Sequence, residues 1–119
     1  SWDCEGLNLD PVTGDFELAK GIFMYETPGH TVGHYSLFLK PEGGAKALLF
    51  AFDVAYTAAA LEKGIQPGFH NNPSDGVRSI RRVKRLAKEW DAEVVFTHDM
   101  EVFKTYALAP EPFTIGGAP

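Results

Sequence analysis

The chain has 119 residues, of which 45% are hydrophobic and 23% charged, and this composition predicts a soluble globular domain and excludes intrinsic disorder. Asp and Glu number 16 against 11 Lys and Arg, so the formal net charge of −5 gives no electrostatic reason to expect a nucleic-acid partner. No apolar run approaches the length of a membrane span, and no signal-peptide pattern is present. The single cysteine, Cys4, excludes an internal disulfide and favours a cytoplasmic location.

Four runs in the first half of the chain predict strands, at residues 15–18, 22–26, 35–40 and 47–52. The second and third flank a turn at residues 27–34 that contains one proline and two glycines. Pro-Glu-Gly-Gly at residues 41–44 predicts a hairpin connection. The fourth run, Ala-Leu-Leu-Phe-Ala-Phe, is continuously apolar, as in a strand buried on both faces, and it ends abruptly at Asp53.

Two helices are predicted next. Residues 57–63 are Ala-rich and stop at Gly64, whereas a longer helix begins after Asn72, with Pro73 suited to its first position and Asp75 to its positive end. Its apolar positions recur at helical spacing and predict one buried face: Val77, Ile80, Val83, Leu86, Ala87 and Trp90. Basic residues occupy the remaining surface, and in an acidic chain they favour a solvated face over a polyanion site: Arg78, Arg81, Arg82, Lys84, Arg85 and Lys88.

A last strand is predicted at residues 93–97, before a tail that contains a short helical segment from Met100. Three ionisable residues then share one kind of position, because His30 lies in the turn after a strand, and Asp53 and His98 directly follow strands. Ligands of open sheets gather at strand ends, and imidazole and carboxylate are donors that zinc prefers. Taken singly, each residue has an ordinary alternative: a polar turn residue, a helix cap for Asp53, or a carbonyl partner for His98.

The sequence Thr-Pro-Gly-His-Thr-Val-Gly-His at residues 27–34, the strand ending in Asp53 and the strand ending in Thr-His-Asp at residues 97–99 together resemble the second half of a metallo-β-lactamase-fold hydrolase. Asp-Val-Ala-Tyr at residues 53–56 further resembles the N-acyl-homoserine lactonases, as do residues 14–21 and 79–86. The resemblance covers roughly residues 10–101. It implies an α/β (α+β) fold that forms the C-terminal half of an αβ/βα sandwich.

Carried over by resemblance, His30 would be a ligand of one metal ion, His98 a ligand of a second, and Asp53 would bridge the two. The implied cofactor is a pair of zinc ions, with other divalent metals as alternatives. Tyr56 would be the catalytic residue that hydrogen-bonds the lactone carbonyl or the leaving oxygen. Two more residues would support the ligands from behind: His34 and Asp99.

The lactonase signature His-x-His-x-Asp-His is absent, since no two of the four histidines are separated by a single residue. We therefore expect residues 1–119 to be one unit, the C-terminal half of a larger enzyme, inactive alone and partnered by the missing N-terminal half. The implied activity is metal-dependent opening of the lactone ring of N-acyl-homoserine lactones, a quorum-quenching reaction. The expected substrate is a small-molecule lactone, with no nucleic-acid or membrane partner, and a homodimer stays open.

Three other interpretations remain open. In the first, the chain supplies half of another hydrolase of the same fold, a glyoxalase II-like thioesterase or a different lactonase, since fold does not fix function. In the second, the chain is a non-catalytic fragment or binding half that docks a partner through its sheet. Binding of nucleic acid through the basic helix would require salt-dependent affinity for an anionic polymer, which the net charge disfavours.

Overall fold

A five-stranded sheet dominates the computed structural model, which describes residues 6–113. The strands lie side by side in chain order: β1 (Phe16–Ala19), β2 (Ile22–Glu26), β3 (Tyr35–Leu39), β4 (Leu48–Phe50) and β5 (Glu93–Val95). The first four run antiparallel to their neighbours, and β5 runs parallel to β4. The crossover between β4 and β5 contains α1 (Ala58–Lys63) and α2 (Pro73–Glu89), and α3 (Met100–Phe103) follows β5. The α/β prediction is therefore confirmed.

The first three predicted strands match the observed ones to within a residue, but the last two are shorter than predicted. Pairing of β4 stops at Phe50, and residues Phe52–Val54 form a 3₁₀ turn, so Asp53 does not directly follow a strand. Phe52 adopts a left-handed φ of +48°, which is incompatible with continuing the ladder. Pairing of β5 likewise ends at Val95, three residues before His98.

Helix α2 covers one face of the sheet. Asn72 caps it by accepting hydrogen bonds from two backbone N–H groups of its first turn, as predicted. Ile80, Val83 and Leu86 are buried against the sheet, and each contributes roughly 1.5–3 kcal/mol of transfer free energy. Two residues of the predicted face are exposed: Val77 to 37% and Trp90, beyond the last turn, to 45%. No helix within residues 6–113 is long and apolar enough to cross a membrane.

Residues 6–113 cover the opposite face of the sheet only in part. Strand alternation places Phe38 and Leu49 under α2, where they are 1% and 0% exposed. Their neighbours point to the other side, where each is half-buried: Ile22, Met24, Leu37, Leu39, Leu48 and Phe50. In this structure β4 is therefore not buried on both faces, contrary to prediction. Of the described tail, Phe113 packs against Phe50 with 6.4 Å between ring centroids.

Candidate metal-binding site

The turn at residues 27–34 carries His30 and is held by helix α2. Gly29 has a φ of +145°, and a Cβ built on it would lie 2.5 Å from the Cα of Gly76, so the two backbones touch. Ser79 Oγ donates a hydrogen bond to the Pro28 carbonyl at 2.6 Å. The glycine pair and the serine thus fix the turn against the first turns of the helix.

Asp53 lies between the two histidines that the sequence paired with it. Its Oδ1 is 2.8 Å from His98 Nε2, and its Oδ2 is 3.7 Å from His30 Nε2. The arrangement follows from topology, because the parallel strands β4 and β5 end on the same edge of the sheet as β2. The side chains are only partly buried, so a small ligand can reach them. The structure therefore brings the three predicted metal ligands together.

The ring of His30 is oriented by a backbone carbonyl. Its Nδ1 is 2.6 Å from the Phe69 carbonyl oxygen, which only accepts hydrogen bonds, so Nδ1 carries the proton. In the neutral ring Nε2 then presents its lone pair on the side of Asp53. A hydrogen bond from the other ring N–H to a backbone carbonyl, as at Nδ1 here, is usual for a metal-ligating histidine.

The donors fit part of a two-ion site. Each carboxylate oxygen of Asp53 faces a different imidazole, which is the disposition a bridging carboxylate needs. Each ion would nevertheless receive only one imidazole and one carboxylate oxygen from this chain, whereas zinc in proteins usually has three or four protein ligands. Within residues 6–113, no group of three or more His, Cys, Asp or Glu side chains is arranged to hold an ion. The ligand roles of His30, Asp53 and His98 stay predictions.

Tyr56 lies beside the same cluster. Its ring centroid is 4.3 Å from that of His98, with 42° between the planes, so the two rings are in contact. Tyr56 sits in the segment between the 3₁₀ turn and α1, which places it on the rim of the cluster. Tyr56 is therefore joined to the cluster through the ring of His98.

The two predicted supporting residues differ. His34 Nε2 accepts a hydrogen bond from the Asp53 backbone N–H at 3.2 Å, and burial lowers the pKa of His34 below its usual value. Asp99 caps α3, where its carboxylate Oδ1 accepts from the Val102 N–H at 3.2 Å, and the supporting role expected for it stays a prediction. The cap of α1 is Thr57, which removes the alternative that Asp53 serves as that cap.

Two contacts of the site were missed in the sequence. The Phe69 carbonyl that orients His30 has no sequence signal, because every residue has such a group. Gly76 did have a sequence signal. A glycine inside a helix costs roughly 1 kcal/mol relative to alanine, so its presence points to a close backbone contact.

The fold corresponds to part of the fold of lactonases of the metallo-β-lactamase type. The chain superposes with a TM-score of 0.78 and 32% identity on an N-acyl homoserine lactone hydrolase that has N-hexanoyl-L-homoserine bound at its catalytic metal centre. The match covers 87% of this chain and 40% of that one. A probable metal-dependent hydrolase from Staphylococcus aureus gives a TM-score of 0.62 at 20% identity, which shows the fold alone.

The sequence relatives are N-acyl homoserine lactonases. The chain is 35% identical over 106 residues to AiiA of Bacillus thuringiensis subsp. kurstaki, and 40% identical over 85 residues to AttM of Agrobacterium fabrum. These matches cover 88% and 71% of this chain but only 41% and 32% of the relatives. No protein-family model matches the sequence. The chain is thus homologous to the C-terminal part of these lactonases, as the sequence resemblance predicted.

Proposed function

We propose that this chain supplies half of a two-ion metal site to a hydrolase that opens the lactone ring of N-acyl homoserine lactones. The observation that carries the proposal is the position of the Asp53 carboxylate, with one oxygen toward His30 and the other toward His98. The lactonase relatives support the substrate class. Zinc is the expected metal, because imidazole nitrogen and carboxylate oxygen are among its preferred donors.

The residues of the candidate site have defined tasks in this proposal. The metal pair, when bound, would polarise the lactone carbonyl and lower the pKa of the attacking water. Asp53 would hold the two ions at a fixed separation, and the Phe69 carbonyl would keep the His30 lone pair directed at its ion. Tyr56 would donate a hydrogen bond to the oxygen on which negative charge develops, which stabilises the transition state.

The remaining donors would come from a segment that corresponds to the N-terminal part of the relatives, in the same polypeptide or in another. Two observations support this division. The chain spans 41% of the length of the Bacillus relative, and the face of its sheet opposite α2 presents half-buried apolar residues on three neighbouring strands. An apolar face of this kind is a docking surface or an aggregation hazard. The expected partner would cover that face and complete the ligand set.

The test is complementation. The chain is co-expressed with the N-terminal segment of the Bacillus thuringiensis lactonase that it does not match, and opening of N-hexanoyl-L-homoserine lactone is followed with and without added Zn²⁺. We expect turnover only when both polypeptides and metal are present. The chain alone should be inactive and bind Zn²⁺ weakly.

A glutathione thioester serves as the competing substrate. Faster cleavage of the thioester than of the lactone would favour a thioesterase of the same fold. Absence of any hydrolysis, despite a stable complex of the two polypeptides that binds metal, would contradict the enzymatic proposal and favour a binding role.

A further inference from the structure

A chain of side-chain contacts leads from the interior of the sheet to the backbone of Asp53. Ser36 and Thr27 are buried, at 0% and 1% exposure, and their hydroxyl oxygens are 2.9 Å apart. Thr27 Oγ1 is also 2.9 Å from His34 Nδ1, and the opposite ring nitrogen, Nε2, is 3.2 Å from the Asp53 backbone nitrogen. The imidazole of His34 therefore connects β3 and the start of the 27–34 turn to the 3₁₀ turn that carries Asp53.

These partners permit one state of the ring. A backbone N–H only donates, so His34 Nε2 must accept and carries no proton. The ring proton then resides on Nδ1, which lies 3.1 Å from the Thr27 carbonyl oxygen, a group that only accepts. The neutral ring with its proton on Nδ1 is the single form that satisfies both contacts.

The Asp53 N–H needs this acceptor because its own turn does not supply one. The 3₁₀ turn is closed by the Val54 N–H, which donates to the Ala51 carbonyl at 3.1 Å. Phe52, immediately before Asp53, has the left-handed φ of +48°, a conformation that a bulky residue adopts only when its surroundings hold it there. The His34 ring is the contact that anchors the residue following this strained position.

We propose that His34 is a positioning residue: its Nδ1–H tautomer holds the Asp53 backbone so that the carboxylate stands between His30 and His98. The reason for positioning Asp53 rests on the function proposed above. The tautomer of His34 and its hydrogen bond to the Asp53 backbone do not rest on that function, and both are measurable without metal or substrate. A failure here is therefore distinguishable from a failure of the lactonase proposal.

The first experiment records long-range ¹⁵N–¹H correlations of the histidine rings in the ¹⁵N-labelled chain at neutral pH. We expect His34 to show an unprotonated Nε2 and a protonated Nδ1. A ring protonated on Nε2, whether neutral or cationic, would overturn the proposal, because Nε2 would then be unable to accept from the Asp53 N–H.

The second experiment compares amide hydrogen exchange at Asp53 in the wild type, His34→Gln, His34→Ala and the control His70→Gln. The side-chain amide oxygen of glutamine can replace Nε2 as an acceptor, whereas alanine offers none. We expect exchange at Asp53 to accelerate roughly tenfold in His34→Ala, as for loss of one hydrogen bond, and to stay near the wild-type rate in His34→Gln and His70→Gln.

Amides of β2 and β3 report on global stability in the same spectra. Equal acceleration at Asp53 in His34→Gln and His34→Ala, or acceleration at Asp53 no larger than in the strands, would show that His34 acts only through general packing. That result would overturn the proposal.

Discussion

At the scale of single residues, Asp53 is the point at which the candidate site converges. Both of its carboxylate oxygens face imidazole nitrogens, and its backbone N–H is bonded to a third histidine. A carboxylate whose two oxygens face different partners cannot be replaced by a monodentate group without losing one of them. The predictions at this scale therefore concern what each side chain would give to the metal or to the substrate.

Asp53→Ala should remove the shared ligand. In the complemented enzyme we expect metal content to fall to less than half of the wild-type value, because loss of the shared ligand weakens the binding of both ions. Lactone opening should fall by about 10²-fold or more. Metal analysis after gel filtration measures the first and a turnover assay the second. Asp10→Ala, at an exposed position outside the cluster, is the control. Full metal occupancy with normal turnover in Asp53→Ala would contradict the bridging role.

Tyr56→Phe should slow the reaction without releasing metal. Removing one well-placed donor to a developing oxyanion costs about 10²–10³-fold in kcat. Because the Tyr56 phenol lies at the rim of the site, we expect the loss in kcat to be within or below that range. The matched control is Tyr35→Phe. The Tyr35 hydroxyl lies 3.1 Å from the Gly14 carbonyl oxygen and 3.2 Å from the Glu26 carboxylate, which share its single proton. Unchanged kcat in Tyr56→Phe would remove this residue from the mechanism.

At the scale of elements, the contact between the 27–34 turn and helix α2 decides where His30 stands. At this contact neither Gly29 nor Gly76 has room for a side chain. On the Gly76 side the obstacle is the flexible end of Gln66, whereas on the Gly29 side it is the helix backbone. The glycine of the turn should therefore be the less replaceable of the two.

Gly29→Ala should destabilise the fold and displace His30. The added Cβ would meet helix backbone at 2.5 Å in a residue whose φ is already +145°, so we expect a loss of about 2–4 kcal/mol in the free energy of unfolding. Gly43→Ala is the matched control, because Gly43 also has a positive φ, +75°, but open space around it. Its cost should stay at about 1–2 kcal/mol. Urea unfolding of the two variants measures the difference, and equal losses would mean that the close approach is unimportant.

At the scale of the whole molecule, the two faces of the sheet are unequal. One face is sealed by α2 and contains the fully buried residues, whereas the other leaves large apolar side chains half-buried on three adjacent strands. A sheet stably exposed to water would ordinarily alternate apolar and polar residues, so this pattern favours burial against another segment or another polypeptide. The proposed N-terminal partner would occupy this face.

Leu37→Lys should block that association. Leu37 lies on β3 in the middle of the half-buried face, paired with Met24 on one side and Phe50 on the other. A lysine there would be desolvated on docking, so we expect at least a tenfold weaker complex with the lactonase N-terminal segment and less self-association of the isolated chain. Light scattering and pull-down titration measure both. Leu18→Lys, at a position that is 63% exposed on the edge strand, is the control. Unimpaired binding by Leu37→Lys would exclude this face as the docking surface.

The sequence by itself determined the local elements and the residue types of the site. The cap at Asn72, the proline after it and the spacing of the buried residues in α2 are encoded within a few positions of one another, and the turn with its two histidines was evident from its glycines and proline.

The tertiary structure decided which of these groups meet. His98 and Asp53 are 45 residues apart in the chain and come into contact only because β5 pairs in parallel with β4. The tertiary structure also places Asp99 at the cap of α3 and Asp53 in a 3₁₀ turn. It directs the His34 ring toward the Asp53 backbone N–H. The physical reason is that propensity and capping are short-range, whereas the direction of a side chain at a strand end depends on strand pairing and on the helix packed behind it.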